Sequence, residues 1–136
     1  MSARHKARKR ALDFLFEADI RKEDPVELFS NRELAQISEG AYSLEIIKGV
    51  QAHKDKIDEL IISYAQGWDL DRMPVVDRNI LRLAIFELFW SEGIPSDVVI
   101  SEALLLSDEN STTDSTKYIN GVLSRILAIR PSLNIN

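Results

Sequence analysis

Five of the seventeen basic residues fall in the first ten positions, as Arg4, Lys6, Arg8, Lys9 and Arg10, joined by His5. No acid interrupts them, and against a net −5 for the whole chain the other 126 residues carry −10. A cationic block on an acidic body concentrates positive potential in one place and raises encounter with polyanions, nucleic acid first among them. Arg4 and Arg8, and Lys6 and Arg10, stand four apart, so on a helix each pair stacks on one side and repels by roughly 0.2–0.5 kcal/mol. A helix N-terminus disfavours cations as well. Phosphates would compensate both costs; a solvated terminus with no partner is the other reading.

Other residues could carry chemistry. Arg82 lies in the middle of the most apolar stretch, four residues after Arg78. A buried guanidinium needs a carboxylate, carbonyls or a bound anion. An internal pair with Asp77, Glu87 or another helix and a ligand-facing arginine both satisfy it. In the run Asp114-Ser115-Thr116-Lys117-Tyr118-Ile119-Asn120-Gly121, Asp114 or Ser115 can cap a helix, while Lys117 opposes its dipole. Tyr118 is either core or, beside that lysine, a ring for stacking an unpaired base. Gly121 inside a helix costs about 1 kcal/mol against alanine and implies close approach of another helix.

Catalysis finds little support. There is no nucleophile–base arrangement, phosphate-cradling glycine loop or histidine-rich metal spacing. Asp69/Asp71 and Glu23/Asp24 sit in hydrophilic connectors, where carboxylates are solvated. With no cysteine, disulfides and thiolate metal sites are excluded, and His5 and His53 are too isolated to form a metal cluster. Neither a cofactor nor a metal is expected.

With 136 residues, 45 % apolar and 29 % charged, the chain fits one domain with a core of its own. No apolar segment follows the basic start, so it is not a secretory signal. The apolar-rich stretch Ile80 to Trp90 contains Arg82 and Glu87 and falls short of the roughly 20 residues a membrane span needs. A cytoplasmic location is expected.

These residues must be positioned by helices. Ala11, Leu15 and Ala18 share a face of a first helix over about 4–22, stopped by Glu23-Asp24-Pro25. Ser30 with Glu33 reads as a capping box opening a short helix over 31–37. Apolar periodicity predicts helices over about 39–53, 54–66, 76–91, 96–107 and 114–129, with a connector at 67–74 and a polar loop at 107–113. The 76–91 segment is apolar nearly all round, which places it centrally. No strand alternation is evident. The expected fold is all-α, about seven helices packed around the 76–91 helix.

Ala7-Arg8-Lys9-Arg10-Ala11-Leu12-Asp13-Phe14-Leu15-Phe16, then Val76-Asp77-Arg78-Asn79-Ile80-Leu81-Arg82-Leu83-Ala84-Ile85-Phe86-Glu87-Leu88, and finally Lys117-Tyr118-Ile119-Asn120-Gly121-Val122-Leu123 are three segments that together resemble the NusB family. Between the last two, Pro95 and Val98-Val99-Ile100-Ser101-Glu102-Ala103 follow the family's Pro-x-x-Val-Ala-Ile-x-Glu-Ala run. The resemblance covers almost the whole chain. It implies two packed three-helix sub-bundles and no enzymatic activity. It implies binding of the single-stranded boxA element of ribosomal RNA leaders jointly with NusE, a protein of the small ribosomal subunit. That complex would join RNA polymerase to suppress termination and aid ribosomal RNA processing.

By the same resemblance, Arg4, Lys6, Arg8, Lys9 and Arg10 match an arginine-rich RNA-binding start. Arg82, Asp114, Lys117 and Tyr118 match positions at or near the RNA surface, and much of the NusE contact would fall on the central helix. Val99 departs from the family's alanine, and Ser107-Asp108-Glu109-Asn110 from its Ala-Lys-x-Phe/Tyr segment. Some family members hide the site in a homodimer. Two other readings stand beside this one: a protein-interaction bundle whose basic end touches an acidic partner, and the RNA-binding piece of an RNA cytosine methyltransferase.

Overall fold

A computed structural model describes residues 2–32 and 40–132. Seven α-helices account for most of them: α1 (Ala3–Arg21), α2 (Pro25–Ser30), α3 (Gly40–Ala52), α4 (Lys54–Tyr64), α5 (Val75–Trp90), α6 (Ser96–Asn110) and α7 (Thr113–Ile129). Short 3₁₀ turns follow at Leu70–Arg72 and Arg130–Ser132, and no strand occurs among the described residues.

Helix α1 starts where Ser2 Oγ accepts the His5 backbone N–H at 3.1 Å and buries Ala11, Leu15 and Ala18, the face its periodicity predicts. Glu23-Asp24-Pro25 does more than stop it. Asp24 caps α2 by accepting the Val26 N–H at 2.8 Å, with Pro25 in the first turn. There a missing N–H costs nothing and the fixed φ suits the helix. Ser30 is the last residue of α2 rather than the start of another helix. Residues 33–37 of the expected 31–37 helix lie outside the described residues.

Helices α1, α2 and α3 pack on one another as one sub-bundle, and α5, α6 and α7 as a second, with α4 against α5 and α7. Helix α5 touches α1, α3, α4, α6 and α7. Ile80, Leu81, Leu83 and Ile85, buried on several sides of it, join the core to Ile46, Ile61 and Ile126. This is the central position that its lack of a polar face predicts.

The close helix approach expected at Gly121 occurs elsewhere. A Cβ on Gly121 would meet only the Arg125 guanidinium, at 3.3 Å, whereas one on Gly49 of α3 would fall inside the Phe86 ring of α5. The polar loop expected over 107–113 is also shorter. Helix α6 runs to Asn110, and Thr112, not Asp114 or Ser115, caps α7, its Oγ1 accepting the Ser115 N–H at 3.0 Å.

Candidate nucleic-acid interface

The N-terminal basic cluster divides. Lys6 and Arg10 are exposed and in no ion pair among the described residues. Arg4 is exposed with its guanidinium 4.5 Å above the Tyr42 ring. Lys9 is half-buried and reaches Asp13 at 2.5 Å. Arg8 instead turns inward and is only 2 % exposed. Its Nε donates to both carboxylate oxygens of Glu87 at 2.9 and 3.0 Å, and its Nη1 lies 3.7 Å from Glu102.

Glu87 on α5 also accepts the Tyr42 hydroxyl of α3. Burial, then the hydrogen bond to Glu87 and that residue's charge, push the Tyr42 phenol up to about 12. Burial alone would lower the Arg8 pKa; Glu87 outweighs it and holds Arg8 above the usual arginine value. The repulsion within the Arg4/Arg8 pair is therefore answered by an internal carboxylate, and Arg8, expected at an RNA-binding start, lies buried among its partners.

Arg82 turns inward too. It is 5 % exposed, with Nε and Nη2 on Asp58 at 2.8 and 3.1 Å and Nη1 on Asp19 at 2.9 Å. Arg78 grips the same Asp19 through Nε and Nη2 at 2.7 and 2.8 Å. Burial opposes ionisation of Asp19; Arg78, Asn79 and Arg82 overcome it and hold its carboxyl below the usual range. Asp19 lies about 21 Å along α1 from His5 at 1.5 Å per residue. The structure thus gives Arg82 internal partners on α1 and α4, at the end of α1 away from the cationic start.

His5, set aside in the sequence as isolated, joins α1 to α6. It is 3 % exposed, with Nδ1 on Glu102 at 2.6 Å and Nε2 on Glu109 at 2.8 Å. A ring facing carboxylates from both nitrogens must donate from both, which requires the imidazolium. Burial opposes that charge, but the hydrogen bonds and charges of Glu102 and Glu109 prevail, raising His5 above its ordinary value. A signal for this was present. Glu102 and Glu109 are seven apart, on one helix face.

The last turn of α6 then links that end to the other candidates. Glu109 holds His5, while the neighbouring Asp108 accepts the Thr116 hydroxyl at 3.1 Å and Ser107 shares a hydrogen bond of 2.7 Å with the same group. The last turn of α6 is therefore fastened to the starts of both α1 and α7. On α7, Asp114 and Lys117 are exposed. Tyr118 is half-buried, its ring meeting Trp68 edge to face at 5.0 Å and 65°. Its hydroxyl is buried without a hydrogen-bond partner among the described residues, and burial raises its pKa. A groove of about 610 Å³ opens there, walled by Trp68, Pro74, Thr112, Asp114, Ser115 and Tyr118 among others. Sequence reasoning placed Trp68 in a connector and gave it no role.

A helical bundle with exposed cations at one end and an aromatic groove beside them has the architecture of a nucleic-acid-binding module. The sequence profile of the NusB family matches residues 5–128. The chain belongs to the NusB family. It is 49 % identical over 129 residues to the transcription antitermination protein NusB of Acidothermus cellulolyticus, covering 94 % of this chain and 89 % of that one. The solved NusB of T. maritima is 32 % identical with a TM-score of 0.82, over 94 % of this chain and 92 % of that one. A NusB chain solved with NusE and double-stranded RNA is 28 % identical with a TM-score of 0.81, over 94 % and 98 %. The first of these relatives is named a transcription antitermination protein, and the last is called an antitermination factor. No helix among the described residues is long and apolar enough to cross a membrane.

Proposed function

We propose that this protein is a cytoplasmic antitermination factor that binds the single-stranded boxA RNA of ribosomal RNA leaders jointly with NusE. The assembly joins the RNA polymerase antitermination complex and aids processing of the transcript. The observation that carries this reading is the joining of two surfaces by the last turn of α6. Exposed Arg4, Lys6 and Arg10 lie at one side, and Lys117, Asp114 and the aromatic groove at the other. The cations hold backbone phosphates without regard to sequence, and the groove takes splayed bases, which carry the discrimination. Arg8 and Arg82 act through the fold, since their guanidinium groups already have carboxylate partners.

The test is a gel shift with a boxA-containing RNA, a scrambled strand and a duplex, each with and without NusE. Four phosphate contacts, at Arg4, Lys6, Arg10 and Lys117, predict a slope of log affinity against log salt of about −2 to −3 for a single strand. Lys6→Ala and Arg10→Ala should each flatten that slope by about 0.7 and weaken all RNAs alike. Equal affinity for boxA and scrambled RNA in the presence of NusE, or binding indifferent to salt, would refute the reading. Shift by NusE alone with no RNA contribution would favour a pure protein-interaction bundle.

A further inference from the structure

We propose that Trp68, and not Tyr118, is the face on which an unpaired base stacks, with Tyr118 serving as its brace. The inference rests on the RNA-binding reading above and assigns it a residue which that reading lacked. The two rings stand 5.0 Å apart at 65°. A base slipped between parallel rings needs about 7 Å, two contacts of roughly 3.5 Å, so this pair cannot sandwich one. One ring must offer its open face. Trp68 is 39 % exposed, while Tyr118 packs against the hydrophobic core.

The groove suits a base and not a phosphate. Its wall holds one charged side chain, the carboxylate of Asp114, with Gly67, Pro74, Ser111 and Thr112 around the two rings. A carboxylate repels phosphate and accepts an N–H from a base edge. Lys117, exposed on the adjoining turn, is placed for the phosphate of the same nucleotide.

Trp68 is also held in position before any ligand arrives. Gly67 precedes it at φ 88°, a left-handed conformation that side chains disfavour. The Arg72 and Met73 N–H groups close on the Asp69 carbonyl at 3.0 and 3.1 Å, forming the turn that follows. A ring braced on one edge by Tyr118 loses less freedom when a base settles on it than an unsupported one.

The chain has two tryptophans, so the proposal has a direct optical reading. Trp90 stacks on His53 at 4.1 Å and 8°, and Trp90→Phe keeps an aromatic ring there while leaving Trp68 the sole tryptophan. The single-tryptophan protein is titrated with boxA RNA alone, with NusE alone and with both, using tryptophan-free NusE, and binding is followed in parallel by gel shift. Trp68 emission should be quenched in step with RNA bound. Trp68→Leu should weaken RNA binding about 5- to 150-fold, the range for one lost base–aromatic stack, and Trp68→Phe should recover most of it. A complete gel shift with Trp68 emission unchanged would overturn the proposal while leaving RNA binding intact. So would undiminished affinity in Trp68→Leu, or a full emission change with NusE alone, which would make the groove a protein contact. If no RNA shifts at all, the reading beneath it fails as well.

Discussion

Glu87→Gln keeps the shape of a buried side chain and removes its charge. Glu87 is 1 % exposed. It faces the Arg8 guanidinium through two hydrogen bonds and receives the Tyr42 hydroxyl. After the change, the nearest carboxylate to Arg8 is Glu102, 3.7 Å from Nη1. Removing one partner of a buried pair costs about 3–5 kcal/mol, because the other charge stays buried and uncompensated. For a domain of this size, each kcal/mol moves the melting temperature by roughly 3–5 °C. Glu87→Gln should therefore melt about 10–20 °C below the parent protein by calorimetry or circular dichroism. Asp13→Asn provides the contrast, since it breaks the largely exposed Lys9–Asp13 pair. Such pairs contribute about 0–1 kcal/mol, so the shift should be a few degrees. Replacing both partners, Arg8→Met with Glu87→Leu, should recover most of the loss. The phenol gives a second reading. With the Glu87 charge gone, Tyr42 should ionise below its present value of about 12 in an alkaline absorbance titration. Melting of Glu87→Gln within about 3 °C of the parent would refute the account of Arg8 as an internal cation.

Three further outcomes follow from the same geometry. His5 is raised above its ordinary pKa in the fold, so its contribution is complete below about 6.5 and is lost as pH climbs through the folded value. Melting temperature should fall as pH rises past about 6.5, and His5→Leu should remove that decline; an unchanged pH profile in the variant would discount the Glu102–His5–Glu109 contact. Gly49→Ala drives a methyl into the Phe86 ring and should cost about 1–3 kcal/mol by overpacking, while Gly121→Ala, with only Arg125 nearby, should be neutral or stabilising in urea unfolding. Arg82→Met leaves Asp58 with only Lys54 among the described residues and takes one partner from Asp19 and should lower stability, with RNA affinity of the folded protein unchanged; a selective loss of RNA binding would return Arg82 to the interface.

Helices long enough to show a period were legible in the sequence to within a few residues. The apolar pattern alone fixes their buried faces, as at Ala11, Leu15 and Ala18 or Ile46, Ile47 and Val50. Short elements were not. Six-residue α2 rests on Asp24 and Pro25, and a proline after an acid reads equally as a stop and as a first turn. Interior polar partners escaped for another reason. Arg8 meets Glu87, 79 positions away, and His5 meets Glu109, 104 away; no local pattern reports such pairings. A run of cations therefore looks uniform in sequence, although helical geometry points some of its members at the core. Trp68 was missed because a connector has no period from which to read a face.

The last turn of α6, held to His5 through Glu109 and to Thr116 through Asp108, works as a ruler. It fixes the span between the cationic start of α1 and the groove at α7 in the free protein. A nucleic acid that touches both must then match that span with a set number of nucleotides, as well as supply the right bases. Inserting one residue into α6 just before Asp108 would turn Asp108 and Glu109 by about 100° about the helix axis at 3.6 residues per turn and break the contacts to His5 and Thr116. Spacing along the strand is thus written into the place where α6 stops.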